Sequence, residues 1–146
     1  MLEMLDMPQL AEELKRDEGF EEFVYDCSAG YKTIGYGHNL ETTPFPEYIA
    51  EKLLHHNIAM KLAECERFPW FYELSDVRKR VIINMVYNIG GAGVLKFRNM
   101  IAAINAKDWE LAADEMMDSN WYNQVGDRAV RLVNMMRYNE SGNNAT

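Results

Sequence analysis

The stretch DEGFEEFVYDCSAGYKTIGYGH, residues 17–38, changes character within a few positions. Upstream, apolar residues recur at helical spacing behind Pro8, which predicts one amphipathic helix over residues 9–18. Gly19 ends that helix, because glycine adopts the backbone conformations that stop one. Downstream, β-branched and aromatic residues alternate with glycines, a pattern typical of two or three short antiparallel strands within residues 23–40.

The rest of the sequence has the periodicity of helices. A long helix over about 47–66 would span ~30 Å at ~1.5 Å per residue, enough to join two lobes. The further helices are predicted at residues 77–89, 94–105, 108–117 and 126–138.

Strands confined to one block predict an α+β fold. We expect a single domain, residues 1–146, with a small hairpin-bearing N-terminal lobe at about 19–48. A larger helical lobe is expected at about 70–140, with the N-terminal helix packed on it. A length of 146 residues is enough to bury a core of this kind without disulfides.

The net charge of −8 is unevenly distributed. Residues 1–70 carry 14 acidic and 6 basic side chains, whereas residues 71–146 carry 9 of each. Nucleic-acid binding depends on clustered cations, and the one dense cluster, Arg78-Lys79-Arg80, is interpreted as the solvated face of a helix. We therefore expect no nucleic-acid partner.

Two cysteines, Cys27 and Cys65, are too few for a disulfide framework, which favours synthesis in a reducing compartment. No apolar run approaches the ~18 residues of a membrane helix, and no secretion signal is evident. We expect a soluble protein made in the cytoplasm, without membrane insertion. The few histidines lack ligand partners at metal-binding spacing, so neither a metal nor another cofactor is expected.

Glu18 is the last residue before the glycine that ends the first helix. A carboxylate there faces the negative end of the helix dipole, which favours its protonated form. Such a group suits general acid catalysis near neutral pH. The alternative is that Glu18 is one more solvated acid in an acidic segment.

Spacing favours the catalytic interpretation. Glu18, Cys27 and Thr33 stand in the pattern E-x8-C-x5-T, followed by IGYGH. This resembles the phage lysozymes of glycoside hydrolase family 24. The segments INMVYNIG, residues 83–90, and WYNQVGDRA, residues 121–129, are similar to helices of the T-even phage lysozymes, so the resemblance covers almost the whole chain.

The resemblance implies a lysozyme-like fold and catalytic roles for three residues. Glu18 would protonate the leaving oxygen, Cys27 would stand where the T-even enzymes have aspartate, and Thr33 would help to hold the attacking water. Asp26 is an alternative to Cys27, although adjacent residues of a strand point to opposite faces. A purely structural role for Cys27 is a further alternative.

The resemblance also implies residues that bind or support substrate. Met100 and Glu115 differ in type from the T-even residues at these positions, and His38 is given an orienting rather than a proton-donating role. The implied substrate-binding residues are His38, Asn39, Tyr87, Asn88, Met100 and Glu115, and the supporting residue is Arg128.

By this resemblance the protein is a phage endolysin, a muramidase that cleaves the β-1,4 bond between N-acetylmuramic acid and N-acetylglucosamine of bacterial peptidoglycan. It would act as a monomer in the periplasm after release through a holin-made hole. One alternative is a catalytically weak peptidoglycan-binding or virion-associated protein, since an acidic protein is repelled by an anionic polymer. A lytic transglycosylase, which forms an anhydro sugar, is another.

Overall fold

The computed structural model describes residues 4–141. It contains one three-stranded antiparallel sheet near the N-terminus and helices through most of the remaining chain, which confirms the α+β prediction. The elements are α1 Met7–Glu18, β1 Glu21–Asp26, β2 Lys32–Gly35, β3 His38–Asn39, α2 Glu47–Cys65, α3 Asp76–Leu95, α4 Arg98–Asn105, α5 Trp109–Met117, α6 Asn120–Val125 and α7 Asp127–Tyr138.

The chain divides into two compact units, Met1–Lys52 and Leu53–Thr146. The boundary falls inside α2, the long helix that the sequence predicts as a link. The arrangement of the two lobes as a single domain stays a prediction, as does the packing of the first helix on the helical lobe.

Local chemistry fixes both ends of α1. The Asp6 side chain accepts a hydrogen bond from the Gln9 backbone N–H at 3.0 Å, and Pro8 lies in the first turn. Gly19 follows the last turn with a φ of 71°, so the helix ends where the sequence predicts. Glu18 is therefore the last helical residue, and no residue of α1 is buried.

The sheet has the order β1-β2-β3, and β1 begins two residues before the predicted range. Tyr25 lies opposite Thr33, and Asp26 lies opposite Lys32. Residues that face each other across an antiparallel pair share one face of the sheet. Tyr25 and Thr33 are thus on one face and Asp26 and Lys32 are on the other, while Asn39 of β3 lies beside Thr33.

The helix predicted over 77–89 ends where the backbone of α3 leaves the helical conformation, at Gly90. Gly90, with φ 78° and ψ 164°, interrupts α3, and a short helical segment resumes after it. The Gly91 N–H donates to the Glu64 carboxylate at 2.9 Å, so a side chain from α2 caps the resumed segment. The helix predicted from residue 94 is accordingly divided between the end of α3 and α4.

The core of the helical unit is built from methionine, valine and isoleucine side chains with several aromatic rings. The helix α3 presents Val81, Ile82, Met85 and Val86 to this core, and all four side chains are fully buried. Cys65 at the end of α2 is also fully buried, and burial raises the pKa of its thiol to about 11. This cysteine is therefore a structural residue with little thiolate at neutral pH.

Arg78 corrects the prediction of a solvated cationic face. Its side chain is buried, with Nε donating to the Met136 carbonyl at 2.8 Å and Nη2 donating to the Arg137 carbonyl at 3.3 Å. The guanidinium carbon lies 4.0 Å from the centroid of the Trp109 ring. Arg78 therefore satisfies carbonyl groups at the C-terminal end of α7 from inside the core.

Replacing Arg78 with methionine should lower the free energy of unfolding by about 2–3 kcal/mol, because the α7 carbonyls lose charged donors that water does not replace. Urea denaturation followed by circular dichroism measures this. The matched control is Arg80→Met, since the Arg80 side chain is exposed and, among residues 4–141, forms a salt bridge only with exposed Asp76. Its effect should stay within about 0.5 kcal/mol, and equal losses in the two variants would contradict the capping role.

None of the helices formed by residues 4–141 combines the length and the apolar composition that a membrane crossing requires.

Candidate active site

Glu18 lies against the turn between β2 and β3. A Cβ atom added at Gly37 would come within 2.8 Å of Glu18 Oε2 and 3.0 Å of Glu18 Cδ. Gly37 also has a φ of 74°, in the left-handed region that favours glycine. The Glu18 carboxylate therefore packs closely against the Gly-x-Gly-His turn, while Glu18 as a whole residue is exposed to solvent.

Cys27 follows β1 and opens a tight turn. Its N–H donates to the Tyr31 carbonyl at 2.9 Å, and its carbonyl accepts from the Gly30 N–H at 2.8 Å. The Tyr31 backbone N–H, and after it the Ala29 N–H, lowers the pKa of the Cys27 thiol below its ordinary value. Burial opposes the shift, whereas the Thr33 hydroxyl and the Gly30 N–H reinforce it. The turn thus stabilises a thiolate.

Thr33 connects that turn to the sheet. Its residue is buried, and its Oγ1 donates to the Tyr31 carbonyl at 2.9 Å. A hydroxyl has a single proton, so Thr33 can donate to the Cys27 sulfur only by turning away from Tyr31. The hydroxyl can therefore exchange between a structural hydrogen bond and one to the site.

Asp26 is engaged elsewhere. Lys32 Nζ lies 2.6 Å from its Oδ1, and this hydrogen bond raises the pKa of Lys32. The register places both residues on the face opposite Thr33. The alternation of side chains therefore favours Cys27 over Asp26 as the group beside Thr33.

His38 and Asn39 close the sheet on the other side. The His38 ring meets Phe45 edge-on, with centroids 6.2 Å apart, and its buried Nε2 finds no hydrogen-bond partner within residues 4–141. The Asn39 Oδ1 accepts from the backbone N–H groups of Glu41 and Thr42 at 2.9 and 3.0 Å. The side-chain carbonyl oxygen of Asn39 thus accepts hydrogen bonds within its own turn, and the substrate-binding role of Asn39 stays a prediction.

In the helical unit, Tyr87 and Arg128 line one cavity of about 480 Å³, with walls from α2, α3 and α7. Arg128 is held by Asn84, whose Oδ1 accepts from Nε at 2.8 Å and whose carbonyl accepts from Nη2 at 3.2 Å. Sequence reasoning missed Asn84 as a positioning residue. The available signal was a polar residue within the apolar face of α3.

Glu115 and Met100 border a second cavity of about 410 Å³, formed by the ends of α3 and α5 with α4 and α6. Met100 is fully buried, so direct contact with substrate is not supported and we assign Met100 to the core under the cavity. Glu115 is partly exposed. Asn88 is exposed, and its Oδ1 accepts from the Trp121 indole N–H at 2.9 Å.

The chemistry available in the N-terminal unit is the Glu18 carboxyl group, the Cys27 thiol with a lowered pKa, and the hydroxyl of Thr33. These are the groups that proton donation and activation of a water require. Within residues 4–141, no group of three or more histidine, cysteine, aspartate or glutamate side chains is placed to hold a metal ion.

Comparison with known proteins gives the family of this chain. The family model described as phage lysozyme matches residues 15–140. The pre-baseplate central spike protein Gp5 of Enterobacteria phage T4 is 30% identical over 85% of this chain, which spans 27% of that protein. Probable T4-type lysozymes 1 and 2 of Dictyostelium discoideum are 29% and 26% identical, over 84% and 86% of this chain and 90% and 92% of their own lengths.

Proposed function

Because this chain belongs to the phage lysozyme family of glycoside hydrolases, we propose that it is a muramidase. Its reaction is hydrolysis of the β-1,4 bond between N-acetylmuramic acid and N-acetylglucosamine in bacterial peptidoglycan. The proposal rests on the arrangement of the N-terminal unit. The Glu18 carboxylate packs against Gly37, and the turn beside Thr33 lowers the pKa of the Cys27 thiol, which favours the thiolate.

Bond cleavage begins with proton transfer from the Glu18 carboxyl to the glycosidic oxygen. The bond to the anomeric carbon breaks as the leaving sugar takes that proton, and positive charge develops on the anomeric carbon and the ring oxygen. The Cys27 thiolate stabilises this charge as an anion. Glu18 is left as a carboxylate.

A water molecule then completes the reaction. Its oxygen bonds to the anomeric carbon, its proton passes to the Cys27 thiolate, and the Thr33 hydroxyl orients it. The thiol and the carboxylate exchange the proton through solvent to restore the starting state. Loss of the Thr33 hydroxyl should therefore slow the step in which water attacks.

Product analysis tests this proposal. Purified peptidoglycan sacculi are digested with the protein, and the released fragments are reduced with borohydride and weighed by mass spectrometry. Hydrolysis gives fragments with a reducible N-acetylmuramic acid end, so after reduction each is heavier than the anhydro product by one water and two hydrogens, because borohydride does not reduce an anhydro end. Anhydro fragments would identify a lytic transglycosylase, and the release of no fragment would favour a binding protein.

Gly37→Ala should lower turnover of peptidoglycan about twentyfold, because the added Cβ displaces the Glu18 carboxylate from its seat. Positive φ also costs ~1 kcal/mol of stability, so the control must share that cost. Gly35→Ala does so, since Gly35 has a φ of 68° and an added Cβ there meets nothing within 4 Å. If both variants lose the same activity, contact with Glu18 is not the cause.

We extend the proposal to an endolysin that is made in the host cytoplasm and reaches the wall after a holin opens the inner membrane. Expression in bacterial cytoplasm should then leave cells intact until that membrane is permeabilised, whereupon turbidity falls. Lysis without permeabilisation would contradict dependence on a holin. Gel filtration of the purified protein tests the proposed monomer.

A virion-associated lysozyme is the second candidate, favoured by the match to the T4 central spike protein, of which this chain spans 27%. Sedimentation of lysates from infected cells separates the two roles. A virion component travels with the particles, whereas an endolysin stays in the soluble fraction.

A further inference from the structure

Two exposed aromatic side chains belong to the segments that form the contact between Glu18 and Gly37. Phe20 is 62% exposed and Tyr36 is 51% exposed, and their ring centroids lie 5.4 Å apart with planes inclined at 53°. Phe20 is two residues beyond Glu18, and Tyr36 immediately precedes Gly37, on which Glu18 is seated. One ring is thus close in sequence to Glu18 and the other is close in sequence to Gly37, which contacts the Glu18 carboxylate.

The pair adds little to the stability of the fold. An aromatic ring stabilises a fold by the apolar surface that it removes from water, and each of these rings leaves more than half of its surface in water. Phe23 on β1 is more exposed still, at 77%, but does not stack with another ring within residues 4–141. What distinguishes Phe20 and Tyr36 is a shared aromatic surface at the proposed proton donor.

A cation completes this surface. Lys15 Nζ lies 5.9 Å from the centroid of the Tyr36 ring and one helical turn before Glu18. Its salt bridge to Glu12, at 3.2 Å, is exposed and therefore weak. The N-terminal half of the chain has an excess of negative charge, so an anionic substituent of a ligand would need a cation to bind there. The ammonium group of Lys15 can supply that cation.

We propose that Phe20 and Tyr36 form a stacking subsite for one sugar ring of an anionic glycan strand, with Lys15 facing a carboxylate of its lactyl-peptide branch. One face of a pyranose ring presents C–H groups, whose partial positive charge suits the negative face of an aromatic ring. A ring stacked here sits next to Glu18 and fixes the register of the strand against the proton donor. This subsite rests on the proposed function, because it takes peptidoglycan as the ligand.

Binding measured without turnover tests the subsite. In a Glu18→Gln background, Phe20→Ala combined with Tyr36→Ala should weaken binding to purified sacculi by about fivefold. The same loss is expected on chitin, a neutral polymer of N-acetylglucosamine. Lys15→Gln should weaken binding to sacculi alone, since chitin has no carboxylates.

Two controls separate stacking from disturbance of the fold. Tyr36→Phe keeps the ring and should bind as the parent does, and Phe23→Ala removes an exposed ring outside the pair. Melting curves confirm that each variant is folded. Unchanged binding by the double variant, or an equal loss in Phe23→Ala, overturns the proposal.

Kinetics distinguish failure of the subsite from failure of the proposed function. With Glu18 intact, the double variant should raise KM about fivefold and change kcat less, because stacking holds substrate and transition state alike. A wild-type protein that releases no fragments from sacculi disproves the muramidase, whereas the binding comparison still decides the subsite. An active wild type with an unaltered double variant disproves the subsite alone.

Discussion

Replacing Glu18 with glutamine is expected to lower kcat on peptidoglycan by about a thousandfold, the scale of a lost general acid. Glutamine matches the glutamate in size but has no proton of comparable acidity to donate to the leaving oxygen. Because Glu18 is exposed, the substitution should change the free energy of unfolding by less than ~0.5 kcal/mol. Release of reducing ends from sacculi, followed over time, gives the rate.

Asp17→Asn is the matched control, since Asp17 is an exposed acid one position earlier on the same helix. It removes the same charge and should leave kcat within about twofold of wild type, because the screened field of a surface charge is small. A comparable loss in Asp17→Asn would show that general electrostatics, rather than proton donation by Glu18, drives the effect.

The second large effect is expected at Cys27. The substitution Cys27→Ala removes the thiolate, which serves both as the anion and as the acceptor of the water proton. We therefore expect kcat to fall by about three hundredfold. Aspartate restores an anion and should recover most of the activity. Recovery by aspartate, which a structural cysteine would not permit, separates a catalytic role from a packing role.

The pH dependence has a definite sign. The backbone N–H groups of Tyr31 and Ala29 hold the pKa of the Cys27 thiol below its ordinary value, so thiolate is present at lower pH than for a free cysteine. As pH falls through that lowered pKa, the thiolate is protonated and activity decreases. Aspartate titrates at about 3.9, so the ratio of Cys27→Asp to wild-type activity should rise as the pH falls from about 9 to 5.

Alkylation offers an independent test of the same cysteine. Iodoacetamide should inactivate the wild type by modifying Cys27, while Cys65 is protected by burial and by a thiol pKa of about 11. The Cys27→Asp variant should keep its activity under the same treatment. Inactivation of that variant at the wild-type rate would place the sensitive group elsewhere.

Local rules of sequence recovered the elements around the candidate site. The end of α1 at Glu18 followed from Gly19, because the signal is the conformational freedom of one residue. The placement of Asp26 on the face opposite Thr33 agrees with the two-residue period of a strand, because Asp26 pairs with Lys32, whereas the direction of Cys27 in the turn beyond β1 stays a prediction. These inferences needed no knowledge of distant contacts.

Features that depend on distant contacts were not recovered. Arg78 has the sequence context of a surface cation, and its burial depends on carbonyl groups and a tryptophan that lie 31 to 59 positions away. Met100 was assigned to substrate by resemblance, but the packing of its own helical unit buries it. The six-residue α6 is too short to have a recognisable period, although Ser119 caps its first turn.

The contact between Glu64 and Gly91 makes the effect of a substitution at one of these positions depend on the residue at the other. A Cβ at Gly91 would come within 2.5 Å of Glu64 Oε1, so a larger residue there clashes with that carboxylate unless the carboxylate moves, which would disturb its hydrogen bond to the Gly91 N–H. Once Glu64 has been replaced by a shorter side chain, the same change at Gly91 loses this steric penalty. The effect of a substitution at Gly91 therefore depends on which residue occupies position 64, and a single-site survey of the wild type would not reveal that dependence.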